Sequence, residues 1–196
     1  RTVMETLQIN LMALLPELIL VVTVVVLLLL DAFSKRSEAG STIRALPWIA
    51  LIGIVAAIGT CLWMWSQPPL TFQGQATNDT FSLALRMIVY VATGLTVLLS
   101  GNYIHKVNPQ EGEYYALLLL AAIGMGVMGA ATDLIVLFLA LEVFSLALYI
   151  LTGLDRHNPR STEAAMKYFL LGAFASAFFV YGAALLYGWF CVRLSG

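Results

Sequence analysis

Six stretches of about 20 mostly apolar residues run through this chain, and nothing else in the sequence restricts its fold so strongly. They fall at about 9–33, 43–65, 81–103, 113–131, 134–153 and 162–190. Each is long enough for a helix to cross a hydrocarbon layer about 30 Å thick. A helix also satisfies its own backbone hydrogen bonds, which lipid cannot do for it. The expected fold class is therefore all-α. Residues 1–196 form one polytopic membrane domain with six transmembrane helices. Composition agrees: 61% of residues are apolar and 11% charged, against about 25% charged in soluble domains. So few charges cannot cover a water-facing surface, which excludes a soluble enzyme. A net charge of −1 offers no basic patch for phosphates, so no nucleic acid is expected as a partner. The partner that composition does imply is the lipid bilayer.

The polar intervals set the topology. Only Thr132-Asp133 separates the fourth span from the fifth, which predicts a tight antiparallel hairpin. The stretch from Thr71 to Asp79 reads as a loop. Ser161 is the expected N-cap of the sixth helix. Lys35, Arg36, Arg44, Lys106, Arg156 and Arg160 all lie in loops after odd-numbered spans, and the loops after spans two and four hold no Lys or Arg. By the positive-inside rule the odd loops face the cytoplasm and the N-terminus lies outside. Trp48, Trp63, Trp65 and Trp189 lie near span ends, as interfacial anchors do. Ala122, Gly126 and Ala130, then Gly172 and Ser176, supply small residues for close helix packing. The run from Leu11 to Leu30 is too long for the apolar part of a signal peptide. Cys61 and Cys191 have no spacing that suggests a disulfide or zinc site. His105 and His157 lie in loops without ligand partners.

An ionisable side chain within a span is expensive and is a functional candidate for that reason. Glu142, Lys167 and Glu17 meet the criterion, whereas Asp31, Asp133 and Arg86 lie near span ends and are expected to be solvated anchors. Glu142 lies near the middle of the fifth span, too deep to reach water. Ser145, Tyr149 and Thr152 follow it on one helical stripe. Glu142 either carries a proton or charge, or stays neutral and bonds to neighbouring helices. Lys167 lies about 9 Å into the sixth span. It can snorkel to the interface, pair with Glu163 at i,i+4, or serve as the basic partner of Glu142 on the adjacent helix. Glu17 follows Pro16, and the pair either marks a local opening of the first helix or lies close to the outer surface, about a turn or two inside.

The stretch Leu139-Ala140-Leu141-Glu142-Val143-Phe144-Ser145-Leu146-Ala147-Leu148-Tyr149-Ile150-Leu151 resembles the fifth-helix motif of the antiporter-like subunits of respiratory complex I (NADH:quinone oxidoreductase). The run from Ser161 to Ser176, with Glu163 and Lys167, is similar to the sixth helix of the N-type subunits. Leu14-Leu15-Pro16-Glu17-Leu18 is similar to their first span. Leu141 stands where the sister L and M types usually carry Trp. The resemblance implies an antiporter-like fold of about 14 helices in two inverted repeats, of which these six spans correspond to the N-terminal part. It implies a proton-translocating membrane subunit without redox chemistry of its own. Glu142 and Lys167 carry over as its proton-transfer residues, with Glu17, Ser145 and Tyr149 secondary. NADH, FMN, iron–sulfur clusters and quinone are expected in partner subunits, membrane and hydrophilic, and the location implied is the bacterial inner membrane. Two rivals remain: a subunit of a related multisubunit cation/proton antiporter, and a passive membrane scaffold in which Glu142 and Lys167 only pin helices together.

Overall fold

A computed structural model describes residues 12–34, 45–72, 74–107 and 111–194. Lys35, Arg36, Arg44 and the first residues of the opening span lie outside the described residues, as do the side chains of His105, Lys106, Cys191 and Arg193. The helices are α1 (Leu15–Ser34), α2 (Leu46–Met64), α3 (Thr80–Val107), α4 (Glu111–Ala130), α5 (Leu134–Thr152) and α6 (Pro159–Leu194). All six are long and apolar enough to cross a membrane. Between α2 and α3, the strands β1 (Thr71–Phe72) and β2 (Ala76–Thr77) form a short antiparallel hairpin. It stands where a loop was expected, and Gly74 supplies the positive φ its turn needs.

Helices α1 to α4 pack as a bundle around Leu20, Leu27, Ile54, Tyr90, Tyr115 and Leu119. Helix α5 lies against α4, and α6 lies against α5. Much of the α5 and α6 surface is accordingly open within this chain, with Leu139, Leu171 and Phe174 exposed. The short turn between α4 and α5 is pinned by the β-hairpin. Thr132 N donates to Gln75 O at 2.9 Å and Thr132 Oγ1 to Gly74 O at 2.8 Å. Asp133 caps α5, accepting from Ile135 N at 2.9 Å, and it also accepts from the Tyr187 hydroxyl at 2.6 Å. The Tyr187 hydroxyl, with the Ile135 N–H behind it, holds the Asp133 carboxyl below its usual range. That latch is therefore intact above the ordinary carboxylate range and is lost as pH falls through the lowered value.

Two expectations need correction. The sixth helix starts at Pro159, not after Ser161. Asn158 is its cap, accepting from Arg160 N at 3.1 Å, and proline at the first helical position is preorganised for that role. The Ser161 hydroxyl instead donates to Thr152 O at 2.6 Å, tying the start of α6 to the end of α5. The second correction concerns two charges expected to be solvated. Asp31 is 8% exposed and Arg86 0%. An arginine this far inside the bundle must be paired, and it is.

Candidate functional site

Helices α5 and α6 run antiparallel in one continuous register. Gly153 lies beside Ala165, Tyr149 beside Phe169, Glu142 beside Ser176, Phe138 beside Phe179 and Asp133 beside Tyr187. Glu142 is about 12 Å from the start of α5 and about 15 Å from its end. The half-buried carboxylate accepts a hydrogen bond from the Ser176 hydroxyl across the helix pair. An acid at mid-membrane is thus joined to a neutral donor, an arrangement compatible with either protonation state: the hydroxyl can bond to a carboxylate or to the carbonyl oxygen of a carboxylic acid.

In the same register Lys167 stands level with Leu151, about 13 Å along the axis from Glu142. Its Nζ pairs with Glu163 Oε1 at 2.5 Å, and both side chains are about two-thirds exposed (70% and 65%). The structure therefore brings Lys167 to Glu163 and not to Glu142. An ion pair so open to solvent contributes little stability.

Tyr149 is buried, with Tyr168 and Phe169 edge-on at 4.8 and 5.8 Å between ring centroids. Its ring occupies the space a Cβ on Gly172 would need. Glycine there lets α6 approach α5 closely, which is the close-packing use expected of small residues in membrane helices. Ser145 is half-buried on α5, three residues beyond Glu142. Thr152 Oγ1 turns back to Leu148 O at 2.8 Å. Among the described residues no chain of hydrogen bonds links Glu142, Ser145, Tyr149 and Thr152.

Glu17 lies in a second polar site, near the hairpin end of the bundle. Arg86 Nε of α3 is 2.8 Å from Glu17 Oε1, and the Tyr90 hydroxyl donates to the same oxygen at 3.2 Å. Arg86 Nη1 donates to Asn78 Oδ1, and Asn78 Nδ2 donates to Ala13 O at 2.7 Å. The cluster therefore joins α1, α3 and the segment between β2 and α3. Gly126 of α4 makes room for it, since a Cβ there would stand 2.8 Å from the Tyr90 oxygen and 3.2 Å from Glu17 Oε1. Sequence reasoning found Glu17 but missed its partner. The available signal was Arg86 itself, a cation between Leu83-Ala84-Leu85 and Met87-Ile88-Val89, where an opposite charge is the expected companion.

The transmembrane family described as NADH:quinone oxidoreductase/Mrp antiporter matches residues 131–191, the stretch that holds Glu142 and Lys167. NADH-quinone oxidoreductase subunit N of Trichlorobacter lovleyi is 41% identical over 180 residues, covering 92% of this chain and 36% of the relative. NAD(P)H-quinone oxidoreductase subunit 2 of a Synechocystis species is 37% identical over 182 residues, covering 92% of this chain and 34% of the relative. Among solved structures, a chain of respiratory complex I from Thermus thermophilus with bound aureothin is 34% identical with a TM-score of 0.71. That match covers 88% of this chain and 36% of the other. This chain thus spans about a third of the length of the curated relatives it matches. With its six apolar helices, the chain is a multi-pass membrane protein and belongs to the antiporter-like membrane-subunit family of the NADH:quinone oxidoreductases.

Proposed function

We propose that this chain acts in a proton-translocating membrane subunit of NADH:quinone oxidoreductase, where it moves protons without redox chemistry of its own. The observation that carries the proposal is Glu142, a carboxyl at mid-span bonded across α5 and α6 to Ser176 within the family-matched stretch. An acid at mid-membrane switches between neutral and ionised forms when a nearby charge moves, because desolvation favours one form and a cation the other. Redox events in partner subunits would reach it as a change in local charge. Two cysteines cannot supply the four thiolates of an iron–sulfur cluster. We assign NADH, FMN, iron–sulfur clusters and quinone to partner subunits, membrane and hydrophilic; the support is the likeness to a subunit of NADH-quinone oxidoreductase and to a chain of respiratory complex I. The test is isolation of the tagged protein from native membranes. Redox-active subunits should accompany it. A complex of cation/proton antiporter subunits alone would favour the second reading, which the family's own description includes.

The same proposal places the chain in the bacterial inner membrane with its N-terminus outside. The support is the Lys and Arg bias of the loops, among them exposed Arg156 and Arg160 between α5 and the first turn of α6. A cysteine introduced at exposed Gln75 should react with an impermeant reagent from outside, and one at Arg156 should not. The opposite pattern overturns the orientation.

Lys167 enters this reading as a proton-exchanging group at the loop end of the α5–α6 pair, acting on Glu142 at a distance. Lys167→Arg keeps the charge but holds its proton at neutral pH. It should lower pumping nearly as far as Lys167→Met, read as proton uptake into vesicles per quinone reduced. Full activity in the arginine variant would make Lys167 a fixed charge paired with Glu163.

A further inference from the structure

Within this chain α6 lies chiefly against α5, so the side chains between the two helices set how far apart they stand. Towards the loop end the spacer is Tyr149 of α5, buried with its ring edge-on to Tyr168 and Phe169. Tyr168, Phe169 and Gly172 are i, i+1 and i+4 on α6, and the ring enters between them as a knob enters a hole. Its tip reaches Gly172, where a Cβ would overlap the hydroxyl and stand 2.5 Å from Cζ and 3.1 Å from Cε1. Four residues on, about 6 Å along the same face of α6, is Ser176, whose hydroxyl donates to Glu142. On the other side of that bond the rings of Phe138 and Phe179 stack with centroids 5.7 Å apart. The Glu142–Ser176 bond is thus bracketed by two ring contacts that hold the helices at one spacing.

We propose that Tyr149, seated on Gly172, is a positioning residue for Glu142: it holds α6 at the distance at which the Ser176 hydroxyl meets the carboxyl. The proposal rests on the proton-transfer reading of Glu142 and adds to it what keeps the donor in place. The role needs the bulk of the ring and not the phenol proton. Among the described residues no hydrogen bond joins the Tyr149 hydroxyl to Glu142, which bonds to Ser176, or to Thr152, which bonds to Leu148. A methyl group on Gly172 cannot be met by the ring swinging aside, because Tyr168 and Phe169 flank it; the helices must part instead. Shortening the ring without filling its place lets α6 shift the other way. Either change moves Ser176 relative to Glu142, and a misplacement of about 1 Å is enough to slow a positioned transfer severalfold or more. The two changes are opposite in sign, so made together they offset each other.

The test is a two-residue cycle in the complex isolated through the tagged protein and reconstituted in proteoliposomes. Tyr149→Leu shortens the spacer, Gly172→Ala raises its seat, and the double variant does both. Each single variant should lower proton uptake per quinone reduced by at least about threefold, and the double variant should return to within about twofold of wild type. Gly182→Ala, on the same helix with nothing within 4 Å of the added methyl, should match wild type. A double variant no better than Tyr149→Leu means that the loss does not come from helix spacing and overturns the proposal. That comparison also decides the matter if Gly172→Ala alone does not accumulate. Single variants that pump like Gly182→Ala overturn it as well. Infrared difference spectra between acidic and alkaline buffer give a readout that packing alone would not move. The carboxyl C=O band, assigned by its loss in Glu142→Gln, should rise in wavenumber in Ser176→Ala and in both single variants, because the oxygen loses its donor. It should return in the double variant. A band that keeps its wild-type position in the single variants overturns the proposal. Glu142→Gln in the same liposomes separates the two claims. If it is impaired and the double variant does not recover, only the positioning role fails; if it pumps like wild type, the reading of Glu142 fails and this role with it.

Discussion

Glu142→Gln should leave the protein assembled in the membrane and lower proton translocation by about a hundredfold or more, the scale on which a positioned proton-transfer group contributes. Glutamine matches the size of the acid, and its carbonyl oxygen can still accept from Ser176, so the contact between α5 and α6 survives. What it loses is the ability to ionise. Glu142→Asp keeps the acid on a shorter reach and should retain part of the activity, with a weaker bond to Ser176. Ser176→Ala keeps the ionisable group and removes only its donor, so it should fall between wild type and Glu142→Gln. The measurement is proton uptake by proteoliposomes alongside quinone reduction by the same sample. Wild-type pumping in Glu142→Gln would show that ionisation at this position is irrelevant, and the scaffold reading would replace the relay.

The largest loss of stability is expected at Arg86, not at Glu142. Arg86→Met leaves Glu17 buried without its cation, and breaking one side of a buried ion pair costs about 3–5 kcal/mol. The Asn78 carbonyl oxygen also loses the guanidinium donor that faces it. Unfolding in lipid–detergent mixtures should show the drop directly. Adding Glu17→Met removes the stranded charge and should recover more than half of it, because apolar groups of similar volume can replace a buried pair at little cost. A loss below about 1 kcal/mol in the single variant, the level typical of exposed pairs, would mean that Arg86 is solvated after all.

These two sites differ in how far the sequence revealed them. Glu142 is legible because its burial follows from its own neighbours: apolar residues on both sides and no helix end within reach. The six helices are legible for the same reason. The Glu17–Arg86 pair joins residues on α1 and α3, and its closeness depends on how three helices pack, including the absence of a side chain at Gly126. No periodicity carries that information. Lys167 was ambiguous because two partners suited its chemistry, one four residues back and one across the helix pair. The register between α5 and α6 decides in favour of Glu163, and register is a tertiary fact. The start of α6 is legible in Asn158-Pro159, a cap followed by a first-turn proline; Ser161 is a competing cap signal because it lies nearer the apolar run.

Helix α5 has a consequence for how the chain enters the bilayer in the first place. It must carry a mid-span acid out of the insertion machinery into lipid before α6, which holds the partner Ser176, has been made. An acid at that depth opposes insertion by about 3 kcal/mol. Thirteen of the 19 residues from Leu134 to Thr152 are Leu, Ile, Val or Phe, each favouring insertion by about 0.3–0.6 kcal/mol. Together they outweigh the acid, so α5 can partition into the membrane alone. The turn that joins it to α4 carries one charge, Asp133, so little has to be translocated when the two helices enter as a pair. The excess of branched and aromatic side chains around Glu142 is thus a requirement of biogenesis, met before the carboxyl finds Ser176.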